Sequence, residues 1–216
     1  MTEPGTQRIQ FAGEELVLLP ERAVFWTARR SLMLSDVHFG KSATFRAHGI
    51  PVPEGECQLD LDRIARLVSH HQARRLIIIG DFFHSGIPLT ESLRAMLLGF
   101  RDSLGAAIIL VRGNHDPKTN DLLPSCERLD FTHFELVHDP AHASPGRPAI
   151  TGHLHPQCRI GKVGRKSRLP CFLQTDSLLV LPAFGSFTSG HIMRPIPGQT
   201  LYPVTQSAVY QLTGSF

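Results

Sequence analysis

Residues 107–116 read AIILVRGNHD (Ala107–Asp116), an apolar run that stops abruptly at Arg-Gly-Asn-His-Asp. A short continuous apolar run bounded by such residues fits a strand buried on both faces. The same shape occurs twice upstream. Leu76–Ile79 (LIII) stops at Gly80-Asp81, and Ser31–Ser35 (SLMLS) stops at Asp36-Val37-His38. Helical patterns lie between these runs. Leu59–His71 carries Leu61, Ile64, Leu67 and Val68 on one stripe, with Arg63 and Arg66 on other faces. Thr90 reads as an N-cap, followed by the stripe Leu93, Met96, Leu97 and Phe100. The order strand, helix, strand, helix, strand predicts a sheet with helices on its faces.

Outward from this centre the pattern changes. Arg8–Phe11, Glu15–Leu19 and Arg22–Trp26 read as short strands separated by Gly or Pro. Phe39-Gly40-Lys41 reads as the loop that leaves the SLMLS strand, and Ile50–Gly55 as a turn-rich linker. After Pro117 the helical signal fades. Phe134–Val137, Ala149–Thr151, Cys171–Gln174, Ser177–Leu181 and Ala208–Leu212 read as strands, which suggests a second sheet packed on the first. The chain has 216 residues, consistent with one domain spanning 1–216 around a sizeable core. Its 42% hydrophobic and 19% charged residues argue against disorder. The formal charge of +3 permits a nucleic-acid partner without requiring one. No apolar run approaches the roughly 20 residues that span a bilayer, and the N-terminus lacks a secretory pattern. The expectation is a cytoplasmic protein with no membrane association. The four cysteines (Cys57, Cys126, Cys158, Cys171) are scattered, which speaks against a disulfide scaffold or a zinc ribbon.

Five polar clusters end apolar runs: Asp36-x-His38, Gly80-Asp81, Gly113-Asn114-His115-Asp116, His138, and Gly152-His153-x-His155. Ligands of open α/β sheets bind at the carboxyl ends of strands, so these clusters are expected to converge. Side chains at i and i+2 of a strand share a side, which lets Asp36 with His38, and His153 with His155, each serve one site. The glycines at 80, 113 and 152 are expected to permit tight turns. Carboxylate, amide and imidazole donors without thiolate suit manganese, iron or zinc. Two such ions about 3.5–4 Å apart polarise a phosphate and generate hydroxide near neutral pH.

Taken in order, SDVHFG, GDFFH, GNHD, LVHDP and GHLHP resemble the motifs of the calcineurin-like metallophosphoesterases. The resemblance runs from Asp36 to His155. It implies an α/β fold with a four-layer α/β/β/α sandwich. It also implies two divalent metal ions, manganese first and iron or zinc as alternatives. Asp36, His38 and His155 would hold one ion. Asn114, His138 and His153 would hold the other, and Asp81 would bridge them. His115 would contact the phosphate and protonate the leaving oxygen, Asp116 would orient His115, and His84 would act from behind the ligands. SDVHFGK, the basic stretch after GHLHP, and PCF…LLVLPAFGSFTSG are similar to the ligase-associated DNA-damage-response endonucleases. That resemblance implies DNA as substrate, with a DNA ligase and a helicase-like protein as partners.

Other residues are less specific. Lys41, Arg46, Arg159, Lys162, Arg165, Lys166 and Arg168 read either as contacts to a phosphate backbone or as solvated loop charges. Arg112 reads as structural. His48, His70, His71, His133 and His142 match no motif and read as surface residues, and His191 fits no pattern. The LPAFGSF run reads as core close to the metals, and Phe25 and Trp26 as core. The reading that follows is a binuclear phosphodiesterase, a DNA endonuclease of bacterial repair. A small-molecule phosphomonoesterase or nucleotide phosphatase, and a non-catalytic docking module for repair partners, are the alternatives.

Overall fold

The protein is represented by a computed structural model that describes residues 3–47, 49–51, 55–84, 89–117, 122–161, 167–186 and 188–212. Strands β1 (Gln7–Phe11), β2 (Glu14–Leu18), β3 (Val24–Trp26) and β4 (Ser31–Leu34) form an antiparallel meander. The sheet then continues in parallel through β5 (Arg75–Ile79), β6 (Ala107–Val111) and β7 (Ser125–Cys126). Helices α1 (Lys41–Ala47) and α2 (Glu56–His70) lie between β4 and β5, and α3 (Glu91–Ser103) lies between β5 and β6. Thr90 caps α3, its hydroxyl accepting from the Leu93 N–H at 3.3 Å.

The second half contributes β8 (Leu129–Asp130), β9 (Glu135–Leu136), β10 (Ala149–Thr151), β11 (Pro156–Ile160), β12 (Ser167–Gln174), β13 (Leu178–Val180), β14 (His191–Ile192) and β15 (Thr200–Pro203). They form a mixed sheet in the order β14-β11-β12-β13-β10-β9-β8, with β15 also paired to β12. The two sheets pack face to face, with α2 and α3 against the outer face of the first, an α/β sandwich. Among the described residues all three α-helices precede β6.

Strand alternation explains how one sheet serves two cores. Leu32, Leu34, Leu76, Ile78 and Leu110 point to α2 and α3, where they meet Leu61, Ile64, Leu97 and Phe100. Met33, Ile77, Ile79 and Val111, one residue out of step, point the other way and meet Phe134, Leu136, Ile150, Phe172 and Leu179 of the second sheet. That is why these runs are apolar throughout rather than alternating. Trp26 fills the inter-sheet core against Phe131 and Phe134, each with ring centroids 4.9 Å away, while its indole N–H donates to Glu14 at 2.9 Å. A smaller third cluster, including Cys158, Cys171, Val180 and Leu201, lies apart from these two. No described helix is long and apolar enough to cross a membrane.

Three local expectations are corrected. The Phe39-Gly40-Lys41 segment does not continue as loop: α1 begins at Lys41, and Gly40 at φ 92° turns the chain into it. The helix was illegible because KSATFRA carries a single large apolar residue and therefore no stripe. Ala208–Leu212 is not a strand; only the isolated bridges Val204 to Val209 and Leu201 to Leu212 form there. Leu181, expected to close its strand, lies just beyond β13; the chain from there to Phe184 is buried but irregular, because Pro182 has no N–H and the Phe184 N–H donates to Ser35 O rather than to a ladder.

Ile77→Ala, which empties a fully buried position between the sheets, should cost about 2–5 kcal/mol in urea unfolding. Gly99→Ala on the exposed face of α3, where an added methyl meets nothing within 4 Å, should add about 0.5–1 kcal/mol. A loss of stability in Gly99→Ala would show that this helix face is packed rather than solvated.

Candidate metal centre

The carboxyl ends of β4, β5 and β6 from one sheet and of β9 and β10 from the other meet along one edge of the sandwich. Asp36 with His38, Asp81, Asn114, His138 and His153 follow these strands in turn. Two groups of three donors form there. Asp36, His38 and His155 make one, and Asp81, His138 and His153 the other, the ligand atoms of each lying within 4.8 Å of one another. The groups adjoin, since His138 Nε2 lies 4.0 Å from Asp36 Oδ1. The i, i+2 spacing alone would bring His153 and His155 to one site; they fall in different groups, the division that the family resemblance implies.

The local backbone differs from the expected pleat. Asp36, His38, Asp81, His153 and His155 all have left-handed φ values, between 43° and 68°. A non-glycine residue pays steric energy in that region, and such residues cluster where function over-determines the backbone. Asp36 and His38 therefore converge through two left-handed turns rather than through strand periodicity. The glycines also act differently from expectation. Only Gly80 has a positive φ, at 76°. Gly152 is needed for room, because a methyl there would lie 1.7 Å from Ser35 Oγ and 2.6 Å from Asp36 Oδ2. At Gly113 it would lie 2.2 Å from Asp81 Oδ1.

Hydrogen bonds aim the donors. Asp36 Oδ2 accepts from the His153 N–H at 3.1 Å and from the Ser35 hydroxyl, which leaves Oδ1 to face His155 Nε2 at 3.0 Å. Asp81 Oδ1 accepts from the His115 N–H at 3.0 Å, and Oδ2 lies 3.3 Å from His138 Nε2. His138 Nδ1–H donates to the Ile79 carbonyl at 3.0 Å, and His155 Nδ1–H to the Ser189 carbonyl at 2.9 Å. Each bond fixes a tautomer that presents Nε2 to the site. The Nε2 atoms of His38 and His155 are 3.4 Å apart, and His153 Nδ1 is 3.3 Å from His138 Nε2. Neutral imidazoles with lone pairs turned toward each other repel unless a cation or a proton lies between them. Two carboxylates, both below 5% exposed, add the same demand for positive charge. The residues present therefore fit two divalent cations.

The titration behaviour follows from that demand. Burial opposes the imidazolium of His138, but the Asp81 hydrogen bond and the charges of Asp36 and Asp81 overcome it and raise its pKa to about 9. Burial likewise opposes charge on Asp81, yet His138 and the His115 N–H hold it at about 2. Burial lowers His38 to about 4, the attraction of Asp36 notwithstanding. His155 is raised, because its bond to Asp36 outweighs desolvation.

The remaining expected site residues surround this centre. The His115 ring, 36% exposed, has Nε2 3.7 Å from Asp81 Oδ2 and lies 5.7 Å from the His38 ring. Asn114 is exposed beside Gly113, His138 and Asp139. Asp116 does not reach the His115 ring as expected. Its two oxygens accept the Phe83 N–H at 3.0 Å and the Gly113 N–H at 2.8 Å, so it shapes the loop backbone instead. His84 belongs to neither donor group. Its ring stands 5.9 Å from His38, 6.3 Å from His115 and 6.4 Å from Phe45, and its buried Nδ1 has no hydrogen-bond partner among the described residues. Lys41, on α1 rather than in a loop, lies near enough to His38 and His84 for its charge to lower both. Arg46 is exposed on the same helix. Arg159 and Arg168 are exposed and directly opposite each other across β11 and β12, while Lys162, Arg165 and Lys166 lie outside the described residues, as does His48. Arg112 pairs with Glu127 and with Ser125 Oγ at 3.1 Å. His191 donates to the Leu154 carbonyl at 3.1 Å, next to the GHLHP turn. A third group, Glu3, His70 and His71, is a surface cluster at the end of α2, in which Glu3 and His70 pair at 2.7 Å.

The fold and this centre define a metal-dependent phosphoesterase. The sequence profile of the calcineurin-like phosphoesterase family matches residues 29–160, and the chain belongs to that family. Among solved structures it is similar to the nuclease MPE of Pseudomonas putida. The identity is 32% and the TM-score 0.81, over 96% of this chain and 100% of that one. The YfcE phosphoesterase of E. coli aligns over 84% of this chain and 97% of that one, at 14% identity and a TM-score of 0.42. Among curated proteins none matches.

A metal must displace the proton on His138, whose pKa of about 9 is raised above its ordinary value. Apparent Mn²⁺ affinity should therefore climb as the pH rises from about 6.5 to 9, with protons released on binding. Calorimetry in buffers of different ionisation enthalpy reads both. A flat profile without proton release would remove His138 from the ligand set.

Proposed function

We propose that residues 1–216 form one metallophosphoesterase domain that hydrolyses phosphodiester bonds in DNA, as an endonuclease of bacterial DNA repair in the cytoplasm. The observation that carries this reading is the pair of adjoining three-donor groups in a chain 32% identical, over 96% of its length, to a nuclease. Asp36, His38 and His155 would hold one divalent ion, and Asn114, His138 and His153 the other, with Asp81 shared between them. Manganese is the favoured metal, iron and zinc being compatible with the same donors. Bound there, the ions would supply Lewis-acid polarisation of the phosphate and a water of lowered pKa.

The chain's own groups do the rest. His115 stands at the open side of the centre, held by its backbone N–H on Asp81. Its Nε2 offers a proton first to a phosphoryl oxygen and then to the departing alkoxide. Asp116 keeps the Gly113–His115 turn in the shape that presents this ring. His84 lines the same side from behind His38 and His115.

The cationic surface supports a polyanionic substrate. Like charges directly opposite on adjacent strands destabilise a sheet, and Arg159 faces Arg168 in that way. A phosphate backbone laid across β11 and β12 would relieve the repulsion. Lys162, Arg165 and Lys166 in the connecting segment, and Lys41 and Arg46 on α1, would extend the contact. A DNA ligase and a helicase-like protein are the proposed partners.

With Mn²⁺ the pure protein should cleave a simple phosphodiester and a supercoiled plasmid. Asp81→Ala should abolish both activities and lose metal. His115→Ala should keep two ions but lower kcat by about 10²–10⁴-fold. Loss of metal in His115→Ala would overturn that division of roles. Cleavage of a phosphomonoester alone would point to a phosphatase, and inactivity of the folded protein with every metal to a docking module.

A further inference from the structure

The mechanism leaves a buried charged network unused. Asp60 and Arg63 project from α2, and Arg22 from the turn before β3. Arg63 Nη2 lies 3.5 Å from Asp60 Oδ1, and the Ser186 hydroxyl donates to the same oxygen at 3.2 Å. Both side chains are largely buried, at 21% and 12% exposure. Burial pulls Arg63 down to about 10 and pushes Asp60 up, so these charges are held out of water at a cost. Buried ion pairs seldom add net stability, and a specific geometry is the better account of their presence.

That geometry is a strap. The two arginines donate to three consecutive carbonyls of the LPAFGSF run. Arg22 Nη1 reaches Ala183 O at 3.2 Å and Gly185 O at 3.4 Å, and Arg63 Nη2 bonds Phe184 O. The Arg63 guanidinium also stacks 3.7 Å above the Phe184 ring. On its other side the strap grips the first metal loop. The Phe184 N–H donates to Ser35 O at 2.8 Å, and the Gly185 N–H to Asp36 O at 3.1 Å. Gly185 permits this approach, since a methyl there would lie 2.3 Å from Val37 O. The carbonyls so gripped belong to the loop in which Asp36 and His38 occupy left-handed backbone, at φ 57° and 53°. Arg22 is itself left-handed, at φ 67°.

We infer that Arg22, Arg63 and Asp60 are positioning residues: through the strap 183–186 they hold Asp36 and His38 in their ligating geometry, and so set the metal affinity of the Asp36–His38–His155 group far more than that of its neighbour. The inference uses the two donor groups and is independent of the substrate. Among the described contacts neither Arg63 nor Arg22 touches a donor residue; they act through the strap's carbonyls and the Phe184 ring.

The test separates the two groups. In a His153→Ala background the Asp36 group is the intact one, and in a His38→Ala background the Asp81 group is. Arg63→Met, and Asp60→Asn/Arg63→Met in which no lone carboxylate stays buried, are made in each. Mn²⁺ binding is read by electron paramagnetic resonance. In the first background affinity should fall by about 10–100-fold, the range for groups that orient ligands. In the second it should fall severalfold less, because Asp36 reaches that group only through the His153 N–H and its outer contacts. In the metal-free protein, amide exchange of Phe184 and Gly185 should accelerate in the same variants. Arg66→Ala, exposed on the same helix, should change neither reading. Equal weakening in both backgrounds would reduce the network to general structural support and overturn the inference. So would unchanged affinity in the first. Should both variants fail to fold, Arg22→Gln, which removes only the Ala183 and Gly185 contacts, carries the same comparison with the same two outcomes. A wild type that binds no Mn²⁺ would overturn the metal centre itself, and this inference with it.

Discussion

The constraint on which the structure turns is the burial of two carboxylates, Asp36 and Asp81, at the edge where the two sheets meet. A buried carboxylate needs a positive partner and satisfied lone pairs. Here one oxygen of each is taken by a backbone N–H, of His153 and His115 respectively, while the other is turned to a ring of imidazoles. The donor loops of both sheets are thereby tied together, since His153 belongs to the second sheet and Asp36 to the first. Without compensating charge the arrangement repels itself. The raised pKa of His138, about 9, expresses the same requirement by holding a proton where a cation fits.

The loops that meet this constraint are costly in backbone terms. Five donor residues adopt left-handed φ values, and the glycines at 113 and 152 leave space that any side chain would fill. Such loops hold their shape only if the surroundings leave them no alternative. The parallel strands β4, β5 and β6 supply the rigid base, apolar on both faces and locked into two cores. Asp116 closes the Gly113 turn by accepting two backbone N–H groups. The strap after β13 is bonded to the backbone of the Asp36 loop, with Arg22 and Arg63 bonded to the strap in turn. Rigidity thus reaches the site in layers, from core strands to loop backbone to donor atoms.

Much of this was legible in the chain. Runs such as LIII and AIILV announce strands buried on both faces because apolar positions do not alternate, and the stripe Leu61, Ile64, Leu67, Val68 announces α2 because it repeats at the helical period. The donors could be listed because Asp, Asn and His at the ends of apolar runs have few structural reasons to be there. What failed to show was brief or lacked an apolar pattern, as in β11 (PQCRI) and β15 (TLYP). α1 has one large apolar residue and no periodicity. The two-residue strands β7, β8 and β14 are too brief to carry a pattern, so only tertiary pairing defines them.

The sequence by itself determined the kinds of donor, their order along the chain, and the strand ends that carry them, since residue type and hydrophobic period are local properties. Spacing and period by themselves did not divide those donors; the backbone of the loops does. His153 and His155 are two residues apart yet face different partners, because left-handed backbone at both positions turns them away from each other. Tertiary structure alone decided that Asp116 serves backbone N–H groups rather than the His115 ring. And it decided that Arg63, read only as lying off the apolar stripe of α2, reaches Phe184, 121 residues away in sequence. Contacts between distant segments depend on how two sheets and a strap pack in space, which no local pattern encodes.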